Sequence, residues 1–334
     1  MGGLVNIGII GAGFIAEKHA QAIHRVEGLT VAAASRRDPT LLQKFCTRFY
    51  CTGYRDYRDL LRHPGLDAVL IATPHHLHVT AVEASAAGGK HILLEKPIAP
   101  DSNGCQRIKR AVSDSGVTFM AGHSARFTPA YQKAKELVAD GTIGRILYGN
   151  TWMNKSWMEP NRRDWHLDRK TGGGMLLTIG IHLLDRLLFL IDEKVTAVSA
   201  TLGTGFHQQP ADDYATVYLR FDGGASGFVS CTGYRQGGPL EETILVGNEG
   251  SLSIRMGEGV RIGKDDRWKE IPQSSGKDAM GDSLRAQWRA FADFVAGDPG
   301  SQAVGIDEAI SVMDILFASE RSSMKGHEID LLCP

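Results

Sequence analysis

From Val5 to about Gly122, short apolar runs alternate with segments whose apolar positions recur at helical spacing. The runs fall at residues 5–10, 29–34, 68–72, 91–94 and 118–121. Between the first two, Ile15, His19, Ala22, Ile23 and Val26 form a helical stripe. Asp101 stands where an N-cap opens a further helix, which ends near Gly116. Strand and helix in strict alternation predict a doubly wound α/β domain with a parallel sheet over residues 1–122.

Beyond Gly122 the pattern changes. Thr128-Pro129 reads as a cap followed by proline in the first helical turn. Longer alternating stretches then follow at 145–153, 195–203, 213–221, 225–234, 241–247 and 250–255. Asp222-Gly223-Gly224 and Asn248-Glu249-Gly250 are turn signals between neighbours. Leu284, Trp288, Phe291 and Val295 mark one amphipathic helix and residues 306–323 another, before a short strand at 328–331. Residues 123–334 are thus expected to form a second domain built on an antiparallel sheet. The apolar stretch 175–191 carries His182, Asp185 and Arg186, so it reads as a buried helix and not a membrane span.

Composition narrows the classes. Thirty-seven Lys and Arg balance 38 Asp and Glu, which gives no electrostatic footprint for nucleic acid or an anionic membrane. Cys46, Cys51, Cys105, Cys231 and Cys333 are odd in number and form no CxxC pair, which fits reduced thiols in a cytoplasm. The 39 glycines sit among 43% hydrophobic residues, so they mark turns and close backbone approaches within a packed interior.

Five clusters carry candidate chemistry. Gly11-Ala12-Gly13-Phe14-Ile15-Ala16 follows the first strand and opens a helix, the context in which a glycine-rich turn cradles the pyrophosphate of a dinucleotide in a Rossmann domain. At the end of the second strand stand Ser35-Arg36-Arg37, where an NAD enzyme usually places a carboxylate on the ribose. A hydroxyl and two guanidiniums suit a 2′-phosphate, so NADP is the expected cofactor and NAD the alternative; solvated loop arginines would look the same.

Thr73-Pro74-His75-His76-Leu77-His78 follows the third run. Its imidazoles lack the Cys or Glu that would complete a metal set, and no metal is expected. His78 reads as cofactor-facing or as a packed, capping histidine. Glu95-Lys96-Pro97 ends the fourth run, where a lysine stabilises an alkoxide or relays its proton; a cis bond before Pro97 would aim it. Gly172-Gly173-Gly174 leads into Thr178, His182 and Asp185, spaced by four and three. That spacing puts them near one helical face, with His182 oriented by Asp185 or Thr178, or simply satisfied in the core.

Taken together with Arg126-Phe127 and Pro129, these motifs resemble the Gfo/Idh/MocA oxidoreductases over essentially the whole chain. The resemblance implies hydride transfer between NAD(P) and a carbinol or carbonyl carbon of a sugar, cyclic polyol or related substrate. It matches Lys96 and His182 to the family's catalytic lysine and histidine. It also implies that Gly11, Gly13, Phe14, Ile15, Thr73, Pro74, His75, His78, Glu95, Lys96 and Arg126 contact cofactor, beside Ser35, Arg36 and Arg37. Family members commonly carry Asp four residues before the histidine. Thr178 stands there instead and cannot take up a proton at neutral pH, so proton transfer falls to His182 or Lys96 with Thr178 as a hydrogen-bond relay.

Residues 152–166 would line the substrate side, with Lys155, Arg163 and Trp165 touching substrate together with Lys96, Thr178 and His182. An NAD-dependent dehydrogenase of an acidic or dihydrodiol-like substrate is the alternative within the class. A silent nucleotide-binding sensor is the alternative outside it. The resemblance also implies that residues 123–334 form an α+β domain for substrate binding and oligomerisation on a large, open-faced, mainly antiparallel sheet, and that open face predicts a homodimer or homotetramer.

Overall fold

The computed structural model describes residues 5–160, 162–255, 257–272, 278–298 and 300–332. Cys333 lies outside them; Cys46, Cys51, Cys105 and Cys231 form no disulfide among the described residues.

The first sheet holds β1 (Val5–Ile10), β2 (Leu29–Ser35), β3 (Thr52–Tyr54), β4 (Ala68–Ile71), β5 (His91–Glu95) and β6 (Phe119–Gly122). All pairings are parallel, in the order β3-β2-β1-β4-β5-β6. Five of these strands match the apolar runs; β3 was not expected. Helices α1 (Phe14–Ile23), α2 (Pro39–Phe49), α3 (Tyr57–Leu60), α4 (His78–Ala87) and α5 (Ser102–Ser115) make the connections. Local chemistry sets their ends. Asp101 accepts from Gly104 N at 2.7 Å at the head of α5, and Gly116 closes that helix in the left-handed conformation. Ile7, Ile9, Leu70, Ile71, Ile92 and Leu93 are fully buried, as strands covered on both faces require.

After α6 (Pro129–Ala139), capped by Thr128, the second sheet starts with β7 (Ile146–Ser156). It continues through β8 (Val195–Gly203), β9 (Tyr214–Phe221), β10 (Ser226–Tyr234), β11 (Leu240–Gly247), β12 (Gly250–Arg255), β13 (Gly259–Lys264) and β14 (Arg267–Ile271). The hairpin β13–β14 was not expected. With β15 (Ile329–Asp330) the order is β14-β13-β12-β11-β7-β10-β9-β8-β15. Every pairing is antiparallel except β7 with β10, which run parallel.

One face of this sheet is covered. Val217, Leu219, Val229, Cys231 and Leu245 are buried, and α7 (Ile181–Ile191) packs on β7 and β10. Gly149 and Gly227 are register partners there, and a Cβ on either would come within 2.6 and 3.0 Å of the Leu187 methyls. Two glycines side by side therefore let the helix that carries His182 sit close against the sheet. The stretch Arg169–Ile191 is long and apolar enough to cross a membrane, but 78% of its apolar window is buried inside the fold.

The chain forms two compact units, Met1–Ser124 with Met280–Ile310, and Ala125–Ala279 with Ser311–Pro334. The second unit is therefore not the continuous 123–334 expected from sequence. Most of α8 (Ala279–Val295) and the start of α9 (Ile306–Lys325) belong to the nucleotide unit. The reason is packing: Leu284, Trp288 and Phe291 are buried, and Val304 O accepts the Ala121 N–H at 2.8 Å beside β6.

Candidate active site

In the first unit, the strand order reverses between β1 and β4, and loops leave the carboxyl edge there. Gly11 has φ +92°, and a Cβ on it would lie 2.8 Å from Ala72 O, so only glycine fits that turn. Gly13 is the N-cap of α1, with no side-chain cap on the helix amides. A Cβ there would meet only Gly11 O, at 3.9 Å. The first turn, at Phe14 and Ile15, therefore offers uncapped N–H groups and space for an anion, and the residues present fit a dinucleotide pyrophosphate.

Ser35 and Arg36 meet this loop. Ser35 O accepts the N–H groups of Gly11 and Ala12 at 3.1 and 3.0 Å, and Arg36 Nη1 donates to Ala12 O at 2.6 Å. Ser35 is buried, Arg36 half-buried and Arg37 exposed.

The histidine cluster separates into different roles. Pro74 precedes a short 3-10 turn, His75–Leu77, in which His75 is buried and His76 exposed. His78 is fully buried, with Nε2 2.9 Å from Thr73 O and Nδ1 2.9 Å from Pro97 O. Both ring nitrogens thus face main-chain carbonyls and not a cofactor, and the neutral ring donates to one of the two. Burial pushes this imidazole below its ordinary pKa, against the two carbonyls, which raise it. Its effect is to tie the loop after β4 to the loop after β5. Among the described residues no group of three or more His, Cys, Asp or Glu is placed to hold a metal.

Glu95 ends β5 and is also spent inside the protein. Its Oε1 lies 2.8 Å from His19 Nε2, and its Oε2 accepts the main-chain N–H of Lys96 at 3.2 Å. Burial raises this carboxyl, but the His19 hydrogen bond and the nearby Lys96 charge outweigh it and hold Glu95 below the usual carboxylate range. The Lys96–Pro97 bond is cis.

In the second unit, Gly173 and Gly174 let the chain turn tightly. A Cβ on either would lie 2.3 Å from an oxygen, His166 O or Asp212 Oδ1 respectively. A π-helical turn, Leu176–Gly180, then precedes α7. Thr178 sits in that wide turn and His182 in α7, so a regular α-helical face does not relate them as their spacing suggested.

Asp185 is engaged by an arginine. Its carboxylate takes the fork of Arg126, with Nε 3.2 Å from Oδ2 and Nη2 on Oδ1, and both side chains are buried. Arg126, expected at the cofactor, is therefore committed to this bidentate ion pair and lies 5.1 Å from the Phe189 ring centroid.

In the segment after β7, Lys155 Nζ is 2.8 Å from Glu159, and Arg163 Nη1 donates to the carbonyls of Pro160 and Arg162. Trp165 stacks on His166 with centroids 3.6 Å apart. Trp157, fully buried under the Arg162 guanidinium, is the packed indole of the group.

Residues 5–123 match the model of the oxidoreductase family with an NAD-binding Rossmann fold, and residues 131–253 match that of the GFO/IDH/MocA C-terminal domain. The chain belongs to the Gfo/Idh/MocA oxidoreductase family. It is 30% identical over 269 residues to the 2,7-anhydro-N-acetylneuraminate hydratase of Escherichia coli, covering 78% of this chain and 71% of that protein. It is 29% identical over 284 residues to the levoglucosan dehydrogenase of Pseudarthrobacter phenanthrenivorans, covering 74% and 73%. A solved levoglucosan dehydrogenase complex with NADH superposes with a TM-score of 0.90 over 98% of this chain and 99% of that one, at 24% identity.

This Gfo/Idh/MocA member also uses groups that sequence reasoning missed. Asp212 O accepts Met175 N at 2.9 Å, and its Oδ2 accepts Leu176 N at 2.7 Å, which anchors the entry to the helix bearing Thr178 and His182. Asp213 is fully buried and accepts the N–H groups of Gly205, Phe206 and His207. In sequence, Asp213 reads only as the first residue of the alternating stretch 213–221.

Burial pushes the Asp212 carboxyl up to about 6 from an ordinary 3.8, against the Leu176 hydrogen bond. Between those values the folded state keeps a proton that the unfolded state has released, so stability falls as pH rises through the window. Asp212→Asn removes that ionisation. Relative to wild type, its unfolding free energy is expected to gain about 2 kcal/mol as pH rises from about 4 to 6, then level off. Urea midpoints measured across this range check it; a difference that stays flat contradicts it.

Proposed function

We propose that this oxidoreductase prefers NADP and moves a hydride between the nicotinamide and a carbinol or carbonyl carbon of a sugar-like, polyhydroxylated substrate. The observation that carries the reading is the placement of Lys96 directly after β5, on the carboxyl edge that also holds the uncapped head of α1. Names among the relatives, such as levoglucosan dehydrogenase, support a sugar-like substrate.

Gly11, Gly13, Phe14 and Ile15 would hold the pyrophosphate through main-chain amides, and Thr73, Pro74 and His75 border the same edge. Ser35, Arg36 and Arg37 would hold the adenosine end. The guanidinium of Arg36 has further N–H groups beyond the one given to Ala12 O, and no carboxylate stands at 35–37 to suit a free ribose hydroxyl. The nicotinamide supplies the hydride acceptor or donor when bound. Lys96 and His182 take and return the alcohol proton, with Thr178 as a hydrogen-bond relay, and Lys155, Arg163 and Trp165 contact substrate. Tyr148, Tyr218 and Phe228 share the uncovered face of the second sheet, with Tyr148 and Phe228 exposed, which favours a homodimer or homotetramer through that face.

Three measurements test this. Purified protein is expected to change absorbance at the nicotinamide band with members of a panel of sugars, polyols and their oxidised forms, and Lys96→Ala is expected to lower kcat by about a hundredfold. No turnover on the panel, with Lys96→Ala indistinguishable from wild type, favours the sensor reading. NADP is expected to raise the unfolding temperature more than equal NAD; equal or reversed shifts overturn the preference. Light scattering at micromolar concentration is expected to give a dimer or larger, and a monomer mass would count against the open-face assembly.

A further inference from the structure

Outside the expected motifs, the nucleotide unit contains a line of buried polar groups that leads to Lys96. Trp288, on α8, is fully buried and donates its indole N–H to His19 Nδ1 at 3.0 Å. An indole nitrogen only donates, so His19 Nδ1 is the accepting nitrogen and carries no proton. The ring proton therefore sits on Nε2, which donates to Glu95 Oε1 at 2.8 Å. His19 is fully buried, and its ring meets that of Trp288 edge to face at 5.8 Å. The second carboxylate oxygen of Glu95 accepts the N–H of Lys96. Each atom in the line has one role: indole donor, imidazole acceptor and donor, carboxylate acceptor twice.

We infer that Glu95, fixed by His19 and Trp288, is a positioning residue for Lys96: it grips the lysine main chain and supplies the fixed negative charge beside its amino group. This rests on the reading of Lys96 as a proton-handling group. A neutral amide at 95 still accepts one hydrogen bond but supplies no charge. A carboxylate loose at this point supplies the charge without the geometry. The line provides both, because burying the carboxylate leaves it dependent on the donors that His19 and Lys96 give it. The titratable groups that face Glu95 are His19 from α1, His78 from α4 and Lys96 itself. His78 Nδ1 lies 2.9 Å from Pro97 O, on the other side of Lys96.

The test reads Lys96 without turnover. Trace labelling with acetic anhydride across pH, quantified at Lys96 by mass spectrometry, reports the titration of that amine in the full-length protein. In Glu95→Gln the midpoint is expected to fall by about one pH unit, since the counter-charge is gone. Trp288→Phe keeps the ring but frees His19 Nδ1 to take a proton, and is expected to move the midpoint in the same direction by less. Nitrogen NMR of wild-type protein is expected to show His19 protonated on Nε2. With substrate, Glu95→Gln is expected to lower kcat about tenfold with the KM for NADPH unchanged, and to move the pH profile with the labelling midpoint.

A Lys96 midpoint unchanged in Glu95→Gln, or a His19 proton on Nδ1, overturns the inference. If Glu95→Gln does not fold, Trp288→Phe and the His19 tautomer decide. Because labelling and NMR need no substrate, a protein with no dehydrogenase activity but a shifted Lys96 refutes the proposed reaction and leaves the charge coupling standing.

Discussion

A carboxylate buried at the end of a strand has to be compensated, and Glu95 is where the nucleotide unit meets that constraint. The carboxylate lies at the carboxyl edge of β5, next to Lys96, with only 8% of the residue exposed. Leaving such a group without donors costs several kcal/mol, so its partners are fixed along with it. His19 must enter from α1 with a particular ring nitrogen, Trp288 must arrive from α8 to select that nitrogen, and the main chain must turn at Lys96 to give its N–H. The helix after the glycine loop, the end of β5 and the returning C-terminal helix are therefore held to one another by polar groups as well as by apolar packing.

The second unit meets a similar constraint differently. Arg126 and Asp185 are both buried, and a two-point fork satisfies each. That pairing gives Asp185 a buried partner that its spacing from His182 did not announce. Asp212 shows the opposite outcome: its hydrogen bond to the helix entry does not offset burial, and its carboxyl rises. Glu95 with two donors and Asp212 with a single main-chain donor to its carboxylate thus shift in opposite directions.

Much of the fold was legible because periodicity records burial. The buried runs of β1, β2, β4, β5 and β6 and the alternation of β8 to β12 follow the rule that a strand's side chains declare the faces it presents. The elements that were missed lack that signal. β3 is three residues long and mostly exposed, and β14 is exposed along most of its length. The turn between β13 and β14 is made by Asp265 and Asp266, both at positive φ, where a glycine would have advertised a hairpin. The parallel pairing of β7 with β10 is a matter of topology, on which local pattern is silent. In the site, the glycine loop was legible because glycine is required by sterics. The roles of Glu95, His78 and Arg126 were not, since a polar residue beside a motif looks the same whether it faces a ligand or a buried partner.

The discontinuity of the nucleotide unit has a consequence for its biosynthesis. Translation delivers the six strands of the parallel sheet within the first 122 residues, but the indole that fixes His19 and the Val304 carbonyl that pairs with Ala121 emerge only after about half the chain has followed. Until then the nascent domain lacks both the donor to His19 Nδ1 and the cover that Leu284, Trp288 and Phe291 give. The first part of the protein to be made is therefore among the last to be finished, and the intervening sheet domain must fold without blocking the return of the helix that completes it.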